Sequence, residues 1–92
     1  MSRNLLRSPY SREDRMLVRV ALGHSVRTMR AKAGLSMRAL GERANVSISH
    51  LSDVERGKSE ISSEILQAIA EASNTTTENI LAFAIDTMNQ SK

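Results

Sequence analysis

The sequence predicts an all-α fold of five short helices without strands, and two observations support this class. The core must be built from Leu, Ile, Val, Met and Ala, because Tyr10 and Phe83 are the only aromatic residues among the 92. That mix favours helices over strands. Apolar residues also recur three and four positions apart, which is the spacing of one helix face. At this length the chain has room for one domain plus tails.

The first helix is predicted to begin near residue 12, because Ser11 to Asp14 has the form of a capping box. Gly34 is expected to end this helix in the left-handed conformation. One apolar stripe and a second beside it cover a wide arc, so the helix should contact more than one neighbour. The two stripes are Val18, Leu22, Val26, Met29 and Ala33, and Leu17, Val20, Ala21 and His24.

Four further helices are expected, each preceded by a residue that can cap it. The expected segments are 36–44, 47–56, 62 or 63 to 72, and 75–88. Their predicted caps are Ser36, Ser47, Ser62 or Ser63, and Thr75, which would form a capping box with Glu78. Asn45 is suited to positive φ in the turn after the second helix, and Gly57 should end the third.

Several function classes are disfavoured by what the sequence lacks. Without cysteine there can be no disulfide, thiolate metal site or thiol nucleophile. His24 and His50 lie on different helices without carboxylates at ligand spacing, so we expect no metal and no cofactor. No phosphate-binding glycine loop, catalytic triad or paired acids point to an enzyme. The absence of a signal peptide or a long apolar run predicts a cytoplasmic protein without a membrane partner.

The charge is unevenly distributed along the chain. Residues 1–38 carry nine Arg or Lys against two acidic residues, whereas residues 39–92 carry four basic against eight acidic residues. A basic amino-terminal part on a small domain suggests a polyanionic partner, of which nucleic acid is the commonest. The alternative is an arginine-rich surface that only meets water.

The segments 36–44 and 47–56 fit a helix-turn-helix of roughly 20 residues. Gly41 and Ala44 are small enough to let the two helices cross closely. The outer side of the second helix carries short polar residues instead of the Glu and Lys expected of a purely solvated face. These residues are Ser47, Ser49, His50, Ser52 and Asp53. An ordinary helical hairpin inside a bundle is the alternative.

Landmarks along residues 22–81 resemble the Cro/repressor (XRE-type) helix-turn-helix family. They are Leu22-Gly23, Val26, Met29-Arg30, Gly34-Leu35-Ser36, Leu40, Ala44-Asn45-Val46-Ser47, Leu51, Glu55-Arg56-Gly57-Lys58 and Ile80-Leu81. Within this family, residues 46–57 most resemble the ClgR-like regulators of Clp-protease genes. The resemblance implies a five-helix lambda-repressor-like domain that binds double-stranded operator DNA as a homodimer. It also implies transcriptional control of genes such as those for proteases, in the bacterial nucleoid.

The resemblance assigns the recognition helix to residues 47–56. The residues expected to contact bases are Ser47, Ile48, Ser49, Ser52 and Asp53. Ile48 would lie against a thymine methyl group, and Ser49 can hydrogen-bond to more than one base. Asp53 would accept from cytosine N4, or repel phosphate, or only be solvated.

Phosphate contacts are expected from basic side chains and from backbone N–H groups at helix amino termini. The residues concerned are Ser36, Arg38, His50, Arg56, Lys58 and Ser63, with Ser62 beside the last. The basic arm over residues 1–11, together with Arg12, would add non-specific contacts or remain a mobile tail. Its arginines are Arg3 and Arg7.

The family often joins the first helix to the end of the recognition helix by a salt bridge, and Arg30 and Glu55 occupy those positions. The alternative is two exposed charges worth less than about 1 kcal/mol. Met37 stands where relatives usually have Gln, so one DNA contact is expected to be missing. Polar residues replace apolar ones before the last helix and should loosen that junction; they are Ser73, Thr75 and Thr77.

The expected organisation is a flexible arm over 1–11, a helix-turn-helix domain over 12–74, and a dimerisation helix over 75–92. A self-complementary patch is predicted at Leu17, Val20, Ala21, Ile80, Phe83, Ala84, Ile85 and Met88. The alternative is that the apolar stripes of the first and last helices pack on each other within one chain. With no sensor domain, no small-molecule ligand is expected. An antitoxin or a protein–protein adaptor with the same fold is the alternative function.

Overall fold

The computed structural model describes residues 16–90, and these form five α-helices with no strand among them. The helices are α1 (Val18–Lys32), α2 (Met37–Ala44), α3 (Ile48–Glu55), α4 (Ser63–Ala72) and α5 (Thr77–Gln90). The predicted all-α class is therefore confirmed. The capping box at Ser11 to Asp14 and the arm over residues 1–11 lie outside the described residues.

The helix that ends before Gly34 does not extend back to residue 12 as predicted, because Met16 and Leu17 are not helical, and residue 12 itself lies outside the described residues. Leu17 is extended, with φ −68° and ψ 145°, and α1 begins at Val18 without a side-chain cap. The carbonyl of Leu17 accepts hydrogen bonds from the N–H groups of Val20 and Ala21, at 3.0 and 3.2 Å. Met16 packs against the core.

Serine caps open three of the helices, as predicted. Ser36, Ser47 and Ser62 accept hydrogen bonds from the backbone N–H groups three residues ahead, at 3.0, 3.1 and 3.2 Å. Each cap satisfies one of the backbone donors that a helix start leaves without a partner.

The cap predicted for the last helix is wrong by one residue. Thr76, not Thr75, accepts the hydrogen bond from the backbone of Asn79, at 3.0 Å. The N–H of Thr75 donates to the carbonyl of Ala70 at 2.9 Å, so Thr75 still belongs to the end of α4. Its hydroxyl accepts from the side-chain amide of Asn79 at 3.2 Å.

One apolar core joins all five helices. Its buried members are Ala21, Leu22, Val26, Leu35, Leu40, Ala44, Leu51, Val54, Leu66, Ile69, Ala70, Ile80 and Ala84. Helix α1 packs against both α3 and α5, and α2 packs against α3 and α4. The buried hydroxyl of Ser25 donates to the carbonyl of Ile80 at 2.7 Å and so ties α1 to α5. The wide apolar arc predicted for the first helix thus serves two neighbours.

The junction between α4 and α5 contains a buried hydroxyl without a partner. Ser73 is only 4% exposed, and its Oγ makes no hydrogen bond within residues 16–90. An unsatisfied buried polar group destabilises the folded state. This agrees with the expectation that polar residues loosen the junction.

None of the helices in residues 16–90 is both long and apolar enough to cross a membrane.

Candidate nucleic-acid interface

Helix α3 divides its residues between the core and the surface. Leu51 and Val54 are buried, while Ser49 is exposed and Ile48 is 44% exposed. The candidate base-reading residues therefore lie on or near the outer side of the helix. Ser47 is exposed, and Ser52 and Asp53 are half-buried.

Helices α2 and α3 meet at a close approach that only a very small residue permits. A Cβ atom on Gly41 would lie 2.7 Å from the carbonyl oxygen of Val46, in the turn. Asn45 reverses the chain there with φ 59° and ψ 47°, and its N–H donates to the carbonyl of Gly41. The turn conformation predicted for Asn45 is thus confirmed.

Helix α1 supports the carboxyl-terminal end of α3 at backbone level. A Cβ atom on Gly23 would clash with the carbonyl oxygen of Val54, and would lie 2.9 Å from that of Glu55. The sequence suggested Gly23 only as a family landmark, without a reason for it. The structural reason is that two helix backbones touch at this point.

The predicted pair Arg30 and Glu55 comes together as a bidentate ion pair. Arg30 donates from Nε to Oε2 at 2.7 Å and from Nη2 to Oε1 at 3.0 Å. The two side chains are 18% and 5% exposed, so they are not the two exposed charges of the alternative. A third donor, Nη1, bonds the carbonyl of Leu35 at 3.0 Å, just before α2. One guanidinium thus connects α1, the start of α2 and the end of α3.

Hydrogen bonding to Glu55 raises the pKa of the Arg30 guanidinium, with a smaller contribution from the carboxylate charge. Desolvation acts in the opposite direction but does not prevail. Arg30 therefore stays charged in its buried position at physiological pH. This charge is needed for the ion pair with Glu55 to hold the end of α3.

Two residues predicted to contact DNA bind each other in the free protein. Arg56 donates from Nη2 to Oδ1 of Asp53 at 3.0 Å, across one turn of the α3 surface. The Arg56 and Asp53 side chains are 58% and 41% exposed, and pairs this accessible to solvent are worth less than about 1 kcal/mol. The pair can therefore open, so that Asp53 and Arg56 turn to separate groups on a ligand.

The candidate phosphate-binding residues lie on α2, on α3, in the loop after α3 and at the start of α4. Arg38 lies in the first turn of α2, Lys58 follows α3, and both are exposed. Ser36 and Ser63 lie at the amino termini of α2 and α4, where N–H groups point outward. His50 is half-buried on α3. Met37, which stands where relatives usually have Gln, packs against the core.

Arg19 is a residue that sequence reasoning missed. Its Nε donates to the carbonyl of Gly57 at 3.1 Å, and its Nη1 to Glu60 at 3.1 Å. These contacts link the first turn of α1 to the loop that follows α3. No spacing rule reveals a pair separated by about 40 positions, so the sequence held no signal for them.

The predicted dimer patch needs correction. Ala21, Ile80 and Ala84 are between 0% and 3% exposed, because they fill the core between α1 and α5. They have no surface left to offer a second copy. Val20 lies against Gly57 but is 38% exposed, so part of its surface remains available.

Leu17, Phe83, Ile85 and Met88 remain available at least in part. The structure adds Leu81, which is 40% exposed and one helical turn before Ile85, itself 58% exposed. Leu81 and Ile85 form an exposed apolar stripe, here called the outer stripe of α5. Phe83 also contacts His24, with ring centroids 5.8 Å apart.

Three features together define a helix-turn-helix domain. They are the short helix α3 with its exposed polar side, the helix α2 that crosses it closely at Gly41, and the ion pair between Arg30 and Glu55. The family model for this domain, described as Helix-turn-helix (HTH_3), matches residues 26–80, which is more than half of the chain. The chain belongs to this family and is of the XRE type.

Within the family, the chain is similar to ClgR proteins. A crystal structure of the clp gene regulator ClgR from Corynebacterium glutamicum is 36% identical, with a TM-score of 0.82. The match covers 84% of this chain and 82% of that one.

The transcriptional regulator ClgR of Mycobacterium tuberculosis is 43% identical over 56 residues, which are 61% of this chain and 50% of that protein. This chain thus aligns with about half the length of that relative. The restriction-modification controller protein C.AhdI from Aeromonas hydrophila is 26% identical, with a TM-score of 0.65. That match covers 67% of this chain and 94% of that one.

Proposed function

We propose that the chain is a transcriptional regulator that binds a palindromic operator as a homodimer, with α3 in the major groove. The observation that carries this proposal is the exposed face of α3, which has short side chains and is braced from behind. Gly41 lets α2 cross close to the turn before α3, and Arg30 holds Glu55 at its end. A helix held so firmly can present side chains to base edges in a fixed register.

The dimensions and chemistry of α3 suit the major groove. The groove is about 12 Å wide and admits one α-helix. Ile48 and Ser49 are both exposed at the amino-terminal end of α3. That end of a recognition helix is the part that contacts base edges. Ile48 offers an apolar contact to a thymine methyl group, and Ser49 a hydroxyl that donates or accepts.

A homodimer follows from the limited information that one α3 can read. Doubling the module by two-fold symmetry gives half-sites about 34 Å apart on one face of the duplex. The apolar stripe on α5, with Leu81 and Ile85, is the exposed surface best suited to this contact. Such a surface can pair with its own copy across a two-fold axis.

The similarity to ClgR supports a regulator of protease or stress genes in the bacterial cytoplasm, acting at the nucleoid. These relatives are named ClgR. The proposed recognition helix α3 lies within residues 26–80, which the family model matches.

The first test is selection of bound duplexes from a random 30-base-pair library, followed by sequencing. An inverted repeat with half-sites about one helical turn apart is the expected result. If no motif emerges and binding disappears at moderate salt, the basic surface is a generic polyanion patch. An adaptor or antitoxin function would then replace this proposal.

Substitutions sort the contacts once the motif is known. Ser49→Ala or Asp53→Ala should change the preferred half-site, because base contacts carry specificity. Arg38→Ala should weaken all sites alike and lower the salt slope by about 1. Lys32→Ala, which removes an exposed charge at the far end of α1, is the matched control and should change neither.

A further inference from the structure

The loop between α3 and α4 has little backbone structure of its own. The N–H of Lys58 closes the end of α3 by donating to the carbonyl of Asp53 at 2.8 Å. From residue 59 to residue 62, no backbone N–H makes a hydrogen bond within the described part of the chain. A segment of this kind is held by side chains and by packing, and here Ile61 supplies the packing.

Arg19 supplies the hydrogen bonds that tie this loop to the rest of residues 16–90. Its guanidinium contacts the loop twice, at the carbonyl of Gly57 and at the carboxylate of Glu60, both at 3.1 Å. Gly57 also packs directly against α1, because a Cβ atom on Gly57 would lie 2.9 Å from Cγ2 of Val20. The first turn of α1 therefore sets where the loop begins and where it turns.

The second contact has an electrostatic consequence. The Glu60 side chain is 81% exposed and lies close to Lys58 along the chain. A carboxylate beside a phosphate-binding lysine would repel a polyanion, and the Arg19 guanidinium offsets that charge. The same loop leads into the amino terminus of α4, where the outward N–H groups at Ser63 are the other candidate phosphate ligands.

We propose that Arg19 is a positioning residue for DNA binding, which holds Lys58 and the amino terminus of α4 in place and neutralises Glu60. The proposal rests on the proposed function, because it concerns contacts with a DNA backbone. Arg19 acts through the loop, because its hydrogen bonds to Gly57 and Glu60 are both directed at the protein. An arginine suits this role because its rigid fork can bond two acceptors at once.

The main test compares Arg19→Met with Arg27→Met for binding to a 30-base-pair duplex that carries the selected inverted repeat. Arg27 is an exposed arginine of the same helix, so its loss removes the same charge. We expect Arg19→Met to weaken binding about tenfold and Arg27→Met by less than about twofold. Circular dichroism melting checks that both variants are folded. Equal effects of the two substitutions would overturn the proposal.

A double-mutant cycle with Lys58→Met separates positioning from direct contact. If Arg19 acts partly by holding Lys58, the double variant should lose clearly less affinity than the product of the two single fold-losses, with the remainder due to α4 and Glu60. If Arg19 contacts phosphate by itself, the two fold-losses should multiply, and the positioning role would be wrong.

Glu60→Gln tests the neutralisation of charge. In the wild-type background it should leave affinity unchanged or raise it slightly, because the bond from Arg19 to Gly57 remains. In the Arg19→Met background it should restore part of the lost affinity, since the unpaired carboxylate is gone. No restoration would show that Glu60 does not oppose DNA binding.

A measurement without DNA distinguishes this inference from the proposed function. The ¹⁵N order parameters of residues 59–61 should drop from about 0.85 towards 0.6 in Arg19→Met and stay unchanged in Arg27→Met. Unchanged order parameters together with unchanged affinity would overturn the inference and leave the proposed function intact. Failure of the wild-type protein to bind any duplex would overturn both.

Discussion

At the residue scale, the buried Arg30–Glu55 pair braces the end of the proposed recognition helix α3. We predict that Arg30→Met lowers the free energy of unfolding by about 3 kcal/mol, because it leaves the Glu55 carboxylate buried without its partner. The double variant Arg30→Met/Glu55→Leu should recover most of this loss, since no buried charge then remains. Urea denaturation measures both. A double variant that is as unstable as the sum of its single variants would contradict the prediction.

Substitution by alanine at two buried serines should change the free energy of unfolding in opposite directions. We predict that Ser73→Ala raises the free energy of unfolding by about 1 kcal/mol, because its Oγ has no hydrogen-bond partner in residues 16–90. Ser25→Ala should lower it by about 1 kcal/mol, because Ser25 bonds the carbonyl of Ile80. Denaturant unfolding compares the two variants. The explanation is refuted if both changes have the same sign.

At the element scale, the crossing of α2 and α3 depends on the space at Gly41. An alanine there would favour the helix by up to about 1 kcal/mol from propensity alone. We predict that Gly41→Ala is nevertheless destabilising, by about 1–3 kcal/mol, because its Cβ would lie 2.7 Å from the backbone oxygen of Val46. DNA affinity should decrease with it, since α3 moves relative to α2.

Thermal unfolding and duplex binding measure these two effects. Ala39→Gly, in the same helix, is a useful comparison because it loses propensity without creating a clash. If Gly41→Ala proved more stable than the wild-type protein, the contact with Val46 would not limit the approach of the helices.

At the scale of the whole molecule, the outer stripe of α5, with Leu81 and Ile85, is the surface proposed to contact a second copy. We predict that Ile85→Glu converts the proposed dimer to a monomer, because it places a charge at a 58% exposed apolar position of the proposed interface. Affinity for an inverted repeat should drop at least about tenfold, since the second half-site no longer binds cooperatively. Sedimentation velocity gives the oligomeric state.

Gln90→Glu is the matched control, because it adds the same charge to α5 away from the line through Leu81 and Ile85. It should leave the oligomeric state unchanged. If Ile85→Glu remained dimeric with full affinity, the interface would lie elsewhere on the molecule.

Local rules predicted most of the secondary structure. Serine caps open α2, α3 and α4 because a side-chain hydroxyl three residues before a backbone N–H is a purely local geometry. The errors occur where longer-range contacts compete with local rules. Thr75 is taken by the end of α4, so the cap of α5 passes to Thr76. Leu17 is extended, so α1 begins later than the capping box predicted.

The amino-acid sequence by itself determined the helical class and the helix-turn-helix, and the family resemblance implied the pairing of Arg30 with Glu55, which the structure shows as a buried ion pair. Periodicity, caps and family landmarks can all be read from the order of residues in the sequence. Only the tertiary structure decided which apolar residues are already spent on the core, as Ala21, Ile80 and Ala84 are. It also brought Arg19 to the loop after α3. The physical reason is that burial and side-chain contacts between distant segments depend on how the helices pack, which the order of residues along one helix does not specify.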